Sequence, residues 1–282
     1  MEFKVGAELD YAVGQRSTAI LNVHALRTPT QEILEEHFSV EPKVRCEEFL
    51  STNGENRFVR LDTGNSSKLT VRYSARVRTH VATYKRSAIN ATPIAQLDRG
   101  VIPYLFPSRY CQSDQLGRLA WGIFGSIDHP YEQVTAIADW IHGNVEYLPG
   151  LTSSATSAFD TVTQRAGVCR DFAHLGIALC RALSIPARYF SGYAYQLQPP
   201  DFHACFEACI GGRWYIFDAT HLAPLNGLVR ISMGRDAADA SIATIFGRMS
   251  CTSMTVTSEV LDQNYKPWTH RKTAQQGMSL DG

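Results

Sequence analysis

A thiol, an imidazole and a carboxylate occur in this chain at spacings that suit acyl transfer. Cys169 lies in Arg165-Ala-Gly-Val-Cys169-Arg-Asp-Phe-Ala-His174. Gly167 predicts a tight turn into a helix, which puts Cys169 in the first helical turn. The free N–H groups and positive dipole end of that turn stabilise a thiolate, and the same N–H groups can hold an oxyanion. A thiolate that transfers acyl groups also needs a proton carrier and a third group to orient it. His203-Ala-Cys-Phe-Glu-Ala-Cys-Ile210 and Arg213-Trp-Tyr-Ile-Phe-Asp218 flank Gly211-Gly212, a two-residue hairpin signal. With that loop Ile210 faces Arg213, Cys205 faces Asp218 and His203 faces Thr220. His203 and Asp218 then share a face as diagonal neighbours, about 7 to 8 Å apart at the backbone. A loop of odd length would put them on opposite faces and remove the triad.

The surrounding polar residues have plainer readings. Gln164, five residues before Cys169, is a possible side-chain donor to an oxyanion, second to the backbone N–H of Cys169; a solvated loop glutamine is the alternative. Asp171 is expected to stabilise the positive end of the helix by about 0.3–1 kcal/mol, and Arg170 to sit near the mouth of the cleft. His174 is close to Cys169 in sequence, but five helical residues turn it about 140° away, so it reads as a core or surface histidine. Cys205, Cys209, His203 and His221 raise the question of zinc. Two thiols four residues apart on a strand are about 14 Å apart, too far to share one ion, and no metal is expected. Cys180 reads as core, and Cys46, Cys111 and Cys251 have no partners nearby in sequence.

The elements that must position these groups follow from hydrophobic periodicity. Residues 8–80 are short β-type runs, such as Ala19–Leu26, Arg57–Leu61 and Leu69–Arg78, separated by turn signals at Asn53-Gly54 and Thr63-Gly-Asn65. Leu69, Val71, Tyr73, Ala75 and Val77 alternate with polar residues, so residues 1–85 are expected to form a small antiparallel β-sandwich or barrel. Its arginines, Arg72, Arg76 and Arg78, read either as a solvated sheet face or as a basic stripe. Residues 86–109 contain Pro93, Pro103 and Pro107 and form a linker. A catalytic unit at 110–265 should hold a helix over 129–142, stopped at Gly143, and a second over 168–183, ended by Ser184-Ile-Pro186. Ala173, Gly176 and Ala178 would let that second helix approach a sheet closely. Strands follow at 187–195, 203–210, 214–218, 228–233 and 251–261, giving an α+β fold. The polar residues after 262, with a tail at 266–282, are expected to be loosely held.

Composition narrows the partners. The 27 Lys+Arg balance 27 Asp+Glu, so the chain lacks the cationic excess of a nucleic-acid binder or a membrane-surface binder. Seven cysteines fall well below the roughly 8–10% of a disulfide scaffold, and the odd number leaves at least one thiol unpaired. No uncharged apolar run approaches the roughly 18 residues of a membrane span. Charges stand at the start where a signal peptide would be apolar. A cytoplasmic protein with reduced thiols is expected.

Four pieces taken in order resemble the bacterial transglutaminase-like cysteine protease family. They are Gly167-Val-Cys169-Arg-Asp-Phe-Ala, Ile185-Pro-Ala-Arg188-Tyr-Phe-Ser-Gly-Tyr193, His203-Ala, and Trp214-Tyr-Ile-Phe-Asp218-Ala-Thr220. The β-rich start, Tyr104-Leu-Phe-Pro-Ser-Arg-Tyr110 and Met233-Gly-Arg-Asp-Ala-Ala-Asp239 extend the likeness over nearly the whole chain. The resemblance implies a papain-like α+β core in which Cys169 is the nucleophile, His203 the general base and then acid, and Asp218 the group that orients the imidazole. The chain departs from the family at Cys205, where an aromatic is usual. The expected activity is cofactor-free hydrolysis of amide or peptide bonds in a peptide or protein substrate. Transfer of the acyl group to an amine, as in transglutamination, and a catalytically silent peptide-binding scaffold are the alternatives.

Overall fold

Period-two alternation builds the N-terminal strands. The computed structural model describes residues 1–52 and 56–281, so the expected Asn53-Gly54 turn lies outside the described residues. The chain begins with β1 (Glu2–Val13), β2 (Thr18–Leu21), β3 (Gln31–Glu41), β4 (Arg45–Leu50), β5 (Arg57–Asp62), β6 (Lys68–Thr79) and β7 (Ala82–Lys85). Along β6 the five apolar residues at alternate positions from Leu69 to Val77 are buried, as their spacing requires. On the outer face Arg72 meets Glu8 and Glu41, both at 2.8 Å, and Arg78 meets Glu2 at 2.7 Å and Glu32 at 2.9 Å. Arg76 lies 3.3 Å from Glu35. The arginines are neutralised across the strands, so this face is not a basic stripe.

The remaining elements are α1 (Ser113–Phe124), α2 (Pro130–Asn144), β8 (Glu146–Tyr147), α3 (Ala158–Gln164), β9 (Ala166–Gly167), α4 (Cys169–Ala182), β10 (Ala187–Ala194), β11 (Phe202–Ile210), β12 (Arg213–Phe217), β13 (Leu228–Gly234), β14 (Ala243–Phe246), β15 (Met249–Val260) and β16 (Gln276–Ser279). Helix α2 runs through Gly143, whose Cα faces open space, and ends at Asn144. None of the helices is long and apolar enough to cross a membrane, among the described residues.

Two four-stranded sheets, ordered β15-β1-β6-β3 and β14-β2-β5-β4, share one apolar core and make the N-terminal sandwich. Residues 243–260, expected within the catalytic unit, therefore belong to this sandwich. β15 pairs with β1 from Phe3↔Val260 to Val13↔Met249, which closes an edge that a twelve-residue strand would otherwise leave open. Periodicity identifies the strand but carries no information about its partner. Tyr193, Phe202, Val229 and Ile231 of the second unit complete the same core.

The second unit is an antiparallel sheet, β12-β11-β10-β13, with α4 laid on β10 and β11. A Cβ at Gly176 would stand 2.5 Å from the Phe206 ring, so only glycine permits this helix-to-sheet distance. The C-terminal segment is firmly held, contrary to expectation. β16 pairs with β7, Met278 and Ser279 are buried, and Asp281 bridges Arg188 at 2.5 Å and Arg230 at 2.9 Å. Both guanidiniums also grip the buried Glu207 at 2.7 Å. The polar look of this segment arises because its acid completes a buried ion cluster made by distant strands.

Before β16 the same segment brings His270 against His221, which in turn stacks on His142 of α2, with ring centroids 4.3 and 4.0 Å apart. Burial, together with His270 and His142, lowers His221 to about 4; Asp218 opposes the shift, and Asp139 lies 3.8 Å away. The unfolded chain then binds the extra proton between about pH 6.5 and 4, so stability falls as pH drops through that window. Allowing for the ring's solvent contact, we expect a loss of about 1–2 kcal/mol between pH 7.5 and 4.5 from this residue. His221 sits at φ 57°, a conformation asparagine tolerates. Thermal denaturation of His221→Asn at the two pH values should show a smaller drop in Tm than the parent.

Candidate active site

The hairpin that carries two of the three groups forms as its loop dictates. Gly211 and Gly212 both adopt positive φ, 62° and 74°, as a two-residue turn between right-twisted strands requires. Ile210 pairs with Arg213 and Phe206 with Phe217. Continuing that register by one step puts Cys205 across from Asp218, with His203 diagonal to it. Nε2 of His203 and Oδ2 of Asp218 are 2.9 Å apart, and both side chains are almost fully buried. The other oxygen, Oδ1, accepts the backbone N–H of Thr220 at 2.9 Å and its hydroxyl at 2.7 Å. The carboxylate is thus fixed by three donors.

Burial works against charge on this pair, yet each partner offsets the cost for the other. Asp218 holds His203 well above the ordinary histidine range, helped by the thiols of Cys205 and Cys169. His203 and the Thr220 bonds hold the Asp218 carboxyl well below the usual carboxylate range. With Nε2 bound to Asp218, the buried Nδ1 is the ring nitrogen left without a hydrogen bond. It is the atom available to a thiol proton.

Helix α4 starts at Cys169, in the first turn as expected, and α4 and β11 pack together. The half-buried Cys169 thiol lies 4.0 Å from the carbonyl of Phe202, the residue before His203. The structure therefore brings Cys169, His203 and Asp218 together.

Two matches between family models and the chain bear on this arrangement. Residues 1–100 match the bacterial transglutaminase N-terminal domain, and residues 118–219 match the transglutaminase-like superfamily. The crystal structure of a candidate cysteine protease from Cytophaga hutchinsonii is 55% identical, with a TM-score of 0.96 over 99% of this chain and 97% of that one. The chain belongs to the transglutaminase-like superfamily. Among curated relatives, the uncharacterized protein ML0607 of Mycobacterium leprae is 32% identical over 46% of this chain and 50% of its own length. Rv2569c of Mycobacterium tuberculosis, also uncharacterized, is 38% identical over 24% of this chain and 22% of its own. The chain thus spans half or less of the length of these curated relatives.

Within this transglutaminase-like core the lesser candidates separate. Gln164 is exposed at the end of α3, and its side chain has no hydrogen-bond partner among the described residues. Arg165 after it takes a left-handed conformation, φ 54°, and turns the chain into β9. Asp171 does cap α4, accepting the Val168 N–H at 3.0 Å, but it is fully buried and also accepts the Thr152 hydroxyl at 2.7 Å. Arg170 bonds Asp171 at 2.8 Å and the Ser153 carbonyl at 2.8 Å. Both residues tie the 148–156 loop to the start of α4. His174 is a core residue, stacked on Tyr110 at 4.9 Å, and its Nε2 accepts the Ala237 N–H.

One neighbour of the site was not evident from sequence, and another, Cys205, was placed there by the hairpin register. Tyr147, on β8, pairs with Gly167 and lies near Cys169, His203 and Asp201; burial pushes its hydroxyl up to about 12. Its only signal is an aromatic at the end of a two-residue strand. Cys205 stands beside the dyad, and its thiol is pushed up to about 12, chiefly by burial. Donor atoms of His203, Cys205 and Asp218 lie within 4.8 Å of one another. That set differs from the zinc ligands weighed from sequence, and the Nε2–Oδ2 hydrogen bond already joins two of its three members.

Proposed function

We propose that the chain is a thiol hydrolase that cleaves amide or peptide bonds through a thioester on Cys169. The observation that carries this reading is a buried His203–Asp218 ion pair, 2.9 Å between the paired atoms, set against a thiol at a helix start. Cys169 gives its proton to Nδ1 of His203 and attacks the carbonyl carbon. The tetrahedral oxyanion is held by the Cys169 backbone N–H, with the nearby Tyr147 hydroxyl, kept neutral by its raised pKa, as a second donor. His203 then returns the proton to the leaving amine, the C–N bond breaks, and water hydrolyses the thioester by the reverse route. All seven thiols are free, which suits a reducing compartment and a peptide or protein substrate met there.

Alkylation separates activation from mere access. Cys46 and Cys251 are exposed, and burial pushes both thiols up. Iodoacetamide at neutral pH followed by peptide mapping should modify Cys169 at least about tenfold faster than either, as an ion-paired thiolate requires. Labelling that follows exposure, with Cys46 and Cys251 leading, would leave a scaffold without an activated nucleophile. Product formed from a peptide amide without added amine favours hydrolysis; product that appears only with cadaverine assigns amine transfer.

A further inference from the structure

The loop that leads into His203 forms one wall of a cavity of about 210 Å³, with β15 as the other wall. Leu197, Gln198, Asp201, Val256, Ser258 and Glu259 line it, and no lysine or arginine does. Asp201 immediately precedes Phe202, whose carbonyl lies 4.0 Å from the Cys169 thiol, and its carboxylate is close enough to His203 and Tyr147 to interact with both, which puts this end of the cavity near the nucleophile. Oδ1 of Asp201 accepts its neighbour's N–H at 2.6 Å. Oδ2 has no hydrogen bond and the carboxylate no ion-pair partner among the described residues. The group is exposed enough for a ligand to reach, yet sufficiently enclosed that burial raises it, with Phe202 and His203 acting the other way. Glu259, opposite Lys4 in the β1–β15 register, adds a second acid to the same lining.

The unpaired Asp201 carboxylate, in a cavity whose lining holds no base, gives that lining a negative charge that favours a cation. A lysine ammonium or an arginine guanidinium offers several donors to the carboxylate on an apolar stem that Leu197 and Val256 can cover. We propose that this cavity is a substrate subsite for a cationic side chain next to the bond being cleaved, with Asp201 as its counter-charge. The proposal rests on the thiol-hydrolase reading above.

Matched peptides carrying Lys, Arg, norleucine or Glu near the scissile amide test it. Wild-type kcat/KM should favour Lys and Arg over norleucine by about tenfold, equivalent to one partly enclosed ion pair, and Glu should be worst. Asp201→Asn should bring the Lys-to-norleucine ratio to about one, and Asp201→Glu should restore part of it. The same ratio, read as calorimetric Kd in Cys169→Ala and Cys169→Ala/Asp201→Asn proteins, gives the answer without turnover. Absence of a cationic preference in an enzyme that cleaves peptides, or a preference that survives Asp201→Asn, overturns the subsite. So does a preference shown only by cadaverine as acyl acceptor, which would move the cation from the substrate to the incoming amine. Failure of the underlying reading looks different: no cleavage of any peptide and no preferential alkylation of Cys169.

Discussion

Cys169→Ala is expected to lower kcat for peptide hydrolysis by about 10⁶-fold, the scale seen when a nucleophile is removed from a cooperating triad. The thiol's hydrogen-bond contact is weak, 4.0 Å to the Phe202 carbonyl, and the residue is only half buried, so its loss should leave Tm almost unchanged. Loss of activity with an intact melting transition separates chemistry from folding. The three groups act as a unit, and Cys169→Ala/His203→Ala should therefore be no less active than Cys169→Ala alone. His203→Ala is a poorer single test, because it strands the buried Asp218 carboxylate and destabilises the sheet as well. Mass spectrometry of the parent with a slow ester substrate should trap an acyl adduct on the Cys169 peptide. Residual turnover above about 1% in Cys169→Ala would mean that another group performs the attack, since the expected loss is far larger.

The parts of the site legible in sequence are those whose geometry is set locally. Gly211-Gly212 admits a two-residue turn, the turn fixes the register, and the register fixes which side chains share a face; His203 and Asp218 follow from eight residues on one strand and six on the next. The start of α4 is equally local, because Gly167 and Pro186 bracket it. What escaped depends on partners far apart in the chain. β15 reads as a strand but gives no sign that it pairs with β1 nearly 250 residues earlier. Asp281 looks like part of a polar end until Arg188, Arg230 and Glu207 are seen to surround it. Tyr147 reaches Cys169 only because two residues of β8 pair in parallel with two of β9, a ladder too short to leave a periodic signal. Asp171 was legible as a cap, but its second task of holding Thr152 required the loop fold.

Asp218→Asn should lower kcat by about 10⁴-fold while leaving substrate binding nearly unchanged, the scale of losing the orienting carboxylate of a triad. The replacement can keep an oxygen for Thr220, whose N–H and hydroxyl both bind Oδ1. That choice turns the amide NH₂ toward Nε2 of His203. Nε2 must then accept, which moves the ring proton to Nδ1 and closes the atom that has to take the proton of Cys169. The pH dependence carries the same logic with a definite sign. Asp218 raises His203, so the charged pair stabilises the fold fully below the unfolded histidine value and loses that stability as pH rises through the folded one. The depressed Asp218 contributes above its unfolded value and is lost as pH falls. The pair is therefore worth most between about pH 4 and 6.5, bounded by the two unfolded values. Asp218→Asn should narrow its Tm gap from the parent as pH climbs toward alkaline values, and should shift the alkaline limb of the residual activity to lower pH. An unmoved alkaline limb, measured with a substrate whose chemistry is rate-limiting, would show that Asp218 does not govern the imidazole and that the 2.9 Å contact is structural alone.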